Sequence, residues 1–164
     1  WASHGGGKTL EEKQVMAMFQ TMKPVMDEHI VWFVYHKEEP IAFWINMPDL
    51  NQYFKHMNGK FGLIEKLRFL WLKHFGQCSR FVGLVFGVIP GFQGKGVDAF
   101  LIVEGGTAIK KRARYREFEM QWIGDFNPKM INIAESTGSH RTRSLSTYRY
   151  LFNREIEFKR HPIL

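Results

Sequence analysis

The stretch VIPGFQGKGVDAFL, Val88 to Leu101, decides how this chain is read. A strand-like apolar run reaches Pro90, passes Gly94, Lys95 and Gly96, and enters a segment with helical character. A strand that delivers consecutive backbone N–H groups into a helix N-terminus makes an anion site, because those donors lack intrahelical partners and the dipole there favours negative charge. Glycine at 94 and 96 lets the backbone approach a phosphate without a Cβ in the way. Gln93 and Lys95 can add a hydrogen bond and a positive charge. The stretch reads as a cradle for a phosphorylated ligand.

Two familiar phosphate motifs fit less well. GGGKT, Gly5 to Thr9, lacks the first glycine of the nucleotide-hydrolase loop, since Ala2 stands there, and no strand precedes it. Gly94 to Ala99 matches the loose dinucleotide pattern G-x-G-x-x-A. However, Gly91, Phe92 and Gln93 separate it from the strand end, and Asp125 lies too far on to serve as the ribose-binding acid.

Working outward, 164 residues suit one domain, and 45% hydrophobic with 15% aromatic residues can fill a core. The run Phe81 to Phe92 is too short to span a bilayer. A single cysteine, Cys78, forbids an internal disulfide and fits a reducing, cytoplasmic setting. The net charge of +7 suits an anionic partner. The chain opens at Trp1 rather than Met, which fits the C-terminal part of a longer protein.

Thr9 and Glu12 form a capping-box pattern before a helix whose Val15, Met18, Phe19 and Met22 stripe reads as core. IVWFVYH-KEEP-IAFWINM predicts two strands joined by a charged turn. Phe61 to Phe75 reads as a helix with Ile64, Leu67, Leu70 and Trp71 on one face; that face is expected to pack on its own domain, and its alternative is a membrane surface. Arg80 to Ile89 predicts a strand. The helix from near Gly94 ends in basic residues, with Gly105 and Gly106 marking close packing or a bend. EFEMQWI, 117–123, alternates, with Phe118, Met120 and Trp122 on one face. A helix is predicted over Pro128 to Ser136, and 142–152 as a closing strand. The class is α/β with a mixed sheet.

These residues resemble the GNAT superfamily, the Gcn5-related acyl-CoA N-acyltransferases. Val88, Pro90, Gln93 and Gly96 match its pyrophosphate loop in register, and Leu101 falls where the family usually keeps a leucine. Downstream, Asn127, Ile133, Glu135 and Gly138 keep the spacing of a second family feature. The resemblance covers roughly Leu10 to Phe152. It implies a mostly antiparallel central sheet flanked by helices, in one GNAT-like domain over 1–164. The family's usual first strand and helix are missing, and a helical insertion lies at 58–76. It implies acetyl-CoA or another acyl-CoA as cofactor, bound by Val88, Gln93, Gly94, Lys95, Gly96, Val97, Asp98 and Asn127, and acyl transfer to a small-molecule or protein amine. A homodimer is allowed. The chain departs from the family at Asp98, where Gly or Ala is usual, and at Ala134, where many members have the tyrosine that protonates the departing thiolate.

Three residues are weak candidates for acid or base: Asp49, which also reads as a turn former after Pro48; Glu119, on the polar face of its strand; and Tyr148, as a substitute for the missing tyrosine. Seven scattered histidines and one cysteine give no metal-ligand spacing. His36 reads as a turn residue and Cys78 as an idle thiol. The basic run Lys110 to Arg116 reads as a solvated helix end rather than a nucleic-acid site. The alternatives are a non-catalytic GNAT-like binding or scaffold module, aminoacyl transfer from aminoacyl-tRNA, and dinucleotide binding.

Overall fold

The computed structural model describes residues 11–76 and 78–157. The chain divides into two compact units, Trp1–Glu119 and Met120–Leu164.

The first unit carries a four-stranded sheet in the order β1-β2-β3-β4. Strands β1 (Val31–His36) and β2 (Glu39–Pro48) form an antiparallel hairpin, and β3 (Arg80–Val88) runs antiparallel to β2. The short β4 (Glu117–Met120) begins beside the start of β3, where the Arg116 and Glu117 amides both donate to the Ser79 carbonyl. His36 pairs with Glu39, so the hairpin turns on Lys37 and Glu38 alone, at φ 49° and 70°. Two left-handed residues are what a tight hairpin of this twist requires. Pro40 overhangs β3, whose pairing with β2 begins at Ala42, so its missing N–H breaks no ladder bond to β3. Leu84 is an extra residue in β3: Ile45 faces Val85 and Asn46 faces Gly83. Such a bulge bends the strand and leaves one backbone unit out of the ladder.

Helix α1 (Glu12–Met22) has its N-cap at Glu11, two residues after the predicted cap. Gln14 accepts from the Glu11 amide at 3.2 Å, while Thr9 lies outside the described residues. Between β2 and β3 come a single helical turn, α2 (Asn51–Phe54), and α3 (Leu63–Phe75); α4 (Val97–Lys111) links β3 to β4. The core lies between the sheet and α4, where Trp44, Phe81, Leu101, Ile109 and Tyr115 are buried together. No helix among the described residues is long and apolar enough to cross a membrane.

Two apolar faces expected to be core are not. In α1 no residue is buried, and Met18 is 52% exposed. In α3 the side turned inward is that of Phe69 and Leu72, while Ile64, Leu67, Leu70 and Trp71 face solvent. A helical stripe shows that a helix has an apolar side, not that an element of its own domain covers it.

The two α4 glycines do different things. A Cβ on Gly105 would come within 3.2 Å of Trp44 Cζ3 and 3.3 Å of Trp32 Cγ, so this glycine is the close approach of helix to sheet. Gly106 meets nothing within 4 Å. Gly106→Ala is therefore expected to stabilise the fold by about 1 kcal/mol, the helix-propensity difference, raising Tm by about 2–4 °C. Gly105→Leu should lower it; a thermal melt of each variant checks both.

The second unit contains α5 (Pro128–Ser136), stopped by Gly138 at φ 77°. The closing strand expected over 142–152 is irregular chain, with Leu145, Tyr150 and Phe152 between 70% and 95% exposed. Alternation marks which side chains a strand would bury, but a strand exists only where a neighbour accepts its ladder. β4 likewise ends at Met120, short of Trp122.

Candidate functional site

The loop after β3 is built by its own sequence. The Ile89 amide donates to Ile41 O at 3.0 Å, extending the β2–β3 pairing by one residue. Pro90, with its fixed φ, then starts a single 3-10 turn over Pro90–Phe92. The Gln93 side-chain amide donates back to Val88 O at 3.0 Å, tying the loop to the strand end. Gly94 and Gly96 both take left-handed backbone, at φ 69° and 77°, and a Cβ on either would meet nothing within 4 Å. Gly96 is the N-cap of the 15-residue α4 and supplies no side-chain cap, so the helix's first N–H groups face the open side of the loop.

Around this loop, Lys95 Nζ lies 5.3 Å from the Phe92 ring centroid, and the His36 ring lies against the same phenylalanine at 5.2 Å. Val97 packs on the core, and Asp98 occupies the first turn of α4, where a carboxylate suits the dipole. Of the sequence candidates, Gln93, Gly94, Lys95 and Gly96 are exposed together and Asp98 follows half-buried, while Val88 and Val97 pack on the core at either end of the loop.

Asp49 and Glu119 lie at the other end of β3. Asp49 follows β2; its Oδ1 accepts from the Asn51 amide at 3.1 Å, and its Oδ2 is 3.8 Å from Arg80 Nη1. Glu119 accepts from Arg80 Nη1 at 3.1 Å and Glu117 from Nη2 at 2.7 Å. Arg80, unremarked in the sequence, gathers both weak carboxylate candidates at the starts of β3 and β4, the end of β3 opposite the loop. Cys78 is buried there, its thiol pushed up by burial. In the second unit, Asn127 caps α5 by accepting from the Met130 amide at 3.1 Å, Ala134 is buried, and Tyr148 is 91% exposed in irregular chain.

A second feature at the Arg80 end had no local sequence signal. The left-handed Ala113, at φ 55°, ends α4 and turns Arg114 and Tyr115 back onto the sheet. Tyr115 Oη donates to Asp27 Oδ2 at 2.8 Å, and Arg114 Nη1 lies 3.1 Å from the same oxygen. Asp27 Oδ1 also accepts from the His29 amide at 3.1 Å. Asp27 and Arg114 line a cavity of about 730 Å³ with Tyr53, Phe69 and Lys73, while Tyr115 holds Asp27 from the buried side.

Burial, then the adjacent Asp27 carboxylate, pushes the Tyr115 hydroxyl far above its ordinary 10.0; burial also raises Tyr53. The sign follows from linkage. A group whose folded pKa is raised keeps its full stabilisation below the unfolded value and loses it as pH rises through the folded one. Stability should be level with respect to these groups up to about pH 9 and fall above it as Cys78 and the tyrosines ionise in the unfolded chain, each by up to about 1.4 kcal/mol per pH unit. Tyr115→Phe should lower stability by about 1–3 kcal/mol at pH 7 and flatten the alkaline limb; urea titrations from pH 7 to 11 check both.

No family model matches the chain. It is 24% identical over 153 residues to a bacterial ceramide synthase of Caulobacter vibrioides (strain NA1000 / CB15N) and 24% identical over 152 residues to Protein YghO of Escherichia coli (strain K12). Each match covers 90% of this chain and 39% of the relative, so the chain spans about two fifths of the length of these proteins. Among solved structures, AAC(6')-Iy in complex with the bisubstrate analog CoA-S-monomethyl-acetylneamine superposes with a TM-score of 0.54 at 14% identity, over 86% of this chain and 81% of that one. The apo aminoglycoside 6'-N-acetyltransferase AAC(6')-IG from Acinetobacter haemolyticus gives 0.54 at 16% identity, over 90% and 86%. With its mixed, mostly antiparallel sheet flanked by helices and a glycine loop entering α4, this chain has the fold of the Gcn5-related N-acyltransferases.

Proposed function

We propose that this chain binds an acyl-CoA through the loop Gln93–Asp98 and takes part in transferring its acyl group to an amine. The observation that carries the reading is the uncapped N-terminus of α4, entered through two left-handed glycines with open space where their Cβ atoms would be. The fit to a pyrophosphate is good in backbone donors and in Lys95, and opposed by Asp98. The structural neighbour solved with a CoA bisubstrate analog supports the same ligand class. Bound acyl-CoA would supply an activated thioester, whose acyl carbon bonds to an unprotonated amine as the carbon–sulfur bond breaks and the thiolate takes up a proton.

The chain's own groups divide the remaining work. Backbone N–H groups at 96–98 hold the phosphates, and Lys95 adds charge. β3 guides the arm, and a backbone N–H at its Leu84 bulge, where the pairing with β2 shifts register, would donate to the developing oxyanion. The acceptor would enter the cavity at the far end of β3, where Asp27 and Arg114, fixed by Tyr115, can orient a polar head and Phe69 can cover an apolar body. The ceramide synthase among the relatives favours a lipid-like amine and a long acyl chain for this chain too.

A second reading, a binding module without turnover, is favoured by Ala134, a buried residue with no ionisable group. Isothermal titration with acetyl-CoA and palmitoyl-CoA tests ligand binding, and an amine-acceptor screen then separates the two readings. Saturable binding without product in the screen would leave the binding module. No binding to folded protein would overturn both.

A further inference from the structure

The outward face of α3 is unusual for a single helix lying on its own domain. Leu63, Ile64, Leu67, Leu70, Trp71 and Phe75 are each between 58% and 76% exposed. At helical spacing they span an arc of about 140°, which also carries the exposed His74 near its C-terminal end. Lys66 borders that arc on one side and Arg68 on the other, both exposed. The helix's one acid, Glu65, is turned away: its Oε2 accepts from the Gly62 amide at 2.9 Å as part of the N-terminal cap. Lys66 is also held over the Phe61 ring, 5.8 Å from its centroid. Behind the arc, Phe69 and Leu72 fix the helix to the core, and Phe69 packs on Tyr53 and Phe54.

We propose that α3 docks this chain on an anionic lipid bilayer, lying in the interface with its apolar arc in the acyl boundary and its two flanking cations at the phosphates. Long basic side chains at both rims of a Trp- and Phe-bearing face can bury their stems and keep their charges at the headgroups. The net charge of +7 adds attraction at longer range and opposes a second copy, whose basic rims would meet these. The inference stands independently of acyl transfer, since Leu63, Ile64, Leu67, Leu70, Trp71 and Phe75 belong neither to the Gln93–Asp98 loop nor to the acceptor cavity, which α3 lines with Phe69, Lys73 and His74.

The test uses the 164-residue chain with vesicles of phosphatidylcholine alone and with 30% phosphatidylglycerol, read by co-sedimentation. Binding to the anionic vesicles is expected, weakened by high salt and about thirtyfold by K66Q/R68Q, and lost in L67E/W71E. Both double variants change exposed side chains only; circular dichroism and an unchanged thermal melt verify their folding. The proposal is overturned by equal or absent binding to the two vesicle types. Binding that survives L67E/W71E also overturns it, because the contact then lies elsewhere on the basic surface. So does absent vesicle binding with a concentration-dependent dimer that L67E/W71E dissolves, which would assign the arc to a second copy.

Discussion

Gly96→Asp is expected to weaken acetyl-CoA binding by about a hundredfold or more while the protein stays folded. On the proposed reading, a new carboxylate at this N-cap stands where the pyrophosphate is held, and juxtaposing like charges costs several kcal/mol. The folded state should tolerate the change. Aspartate is among the few non-glycine residues that enter left-handed backbone readily, it is a good helix N-cap, and its Cβ meets nothing within 4 Å. Left-handed backbone still costs an aspartate up to about 1–2 kcal/mol, so the specific outcome is loss of binding by a protein that melts cooperatively only a few degrees lower. Unchanged affinity would remove the loop from the binding site. Asp98→Ala is the complementary variant: if its carboxylate opposes the phosphates, affinity rises.

Trp44→Ala should destabilise the first unit by about 3–5 kcal/mol, a large share of the 5–15 kcal/mol that holds a typical domain. The indole is 6% exposed and serves three neighbours at once. It meets Phe81 and Phe118 edge-on, with centroids 6.3 and 5.4 Å away, and its ring is the surface on which Gly105 brings α4 down to the sheet. Truncation opens a cavity that the helix cannot fill, because Gly105 has no side chain to move into it. Urea denaturation of the two proteins gives the difference directly; a loss below 1 kcal/mol would mean that the sheet and helix close over the gap.

The parts of this fold legible in sequence were those with local causes. The hairpin was carried by two apolar runs around a charged turn, and the glycine loop by its order of strand, proline, glycines and helix. Close packing at Gly105 was legible as well, because a glycine inside a helix costs stability unless something approaches it. What failed to show depends on neighbours distant in sequence. Asp27 and Tyr115 are 88 residues apart, and each alone reads as an ordinary polar or aromatic residue. Arg80 has no local signal because its partners lie on two segments distant in sequence, Asp49 after β2 and Glu117 and Glu119 on β4. The same limit explains the stripes of α1 and α3 and the alternation over 142–152. Periodicity describes one element, whereas burial and pairing describe two.

The turn at Lys37 and Glu38 bears on how the sheet assembles. Neither residue is glycine, and left-handed backbone costs an ordinary side chain about 1–2 kcal/mol at each position. A turn carrying that strain cannot act as a seed that brings β1 and β2 together. The strands must hold the turn, through the pairing of Val31 to Val34 with Ala42 to Ile45 and through β3 on the far side of β2. The hairpin is thus a dependent piece, and its tip is where the sheet would open first.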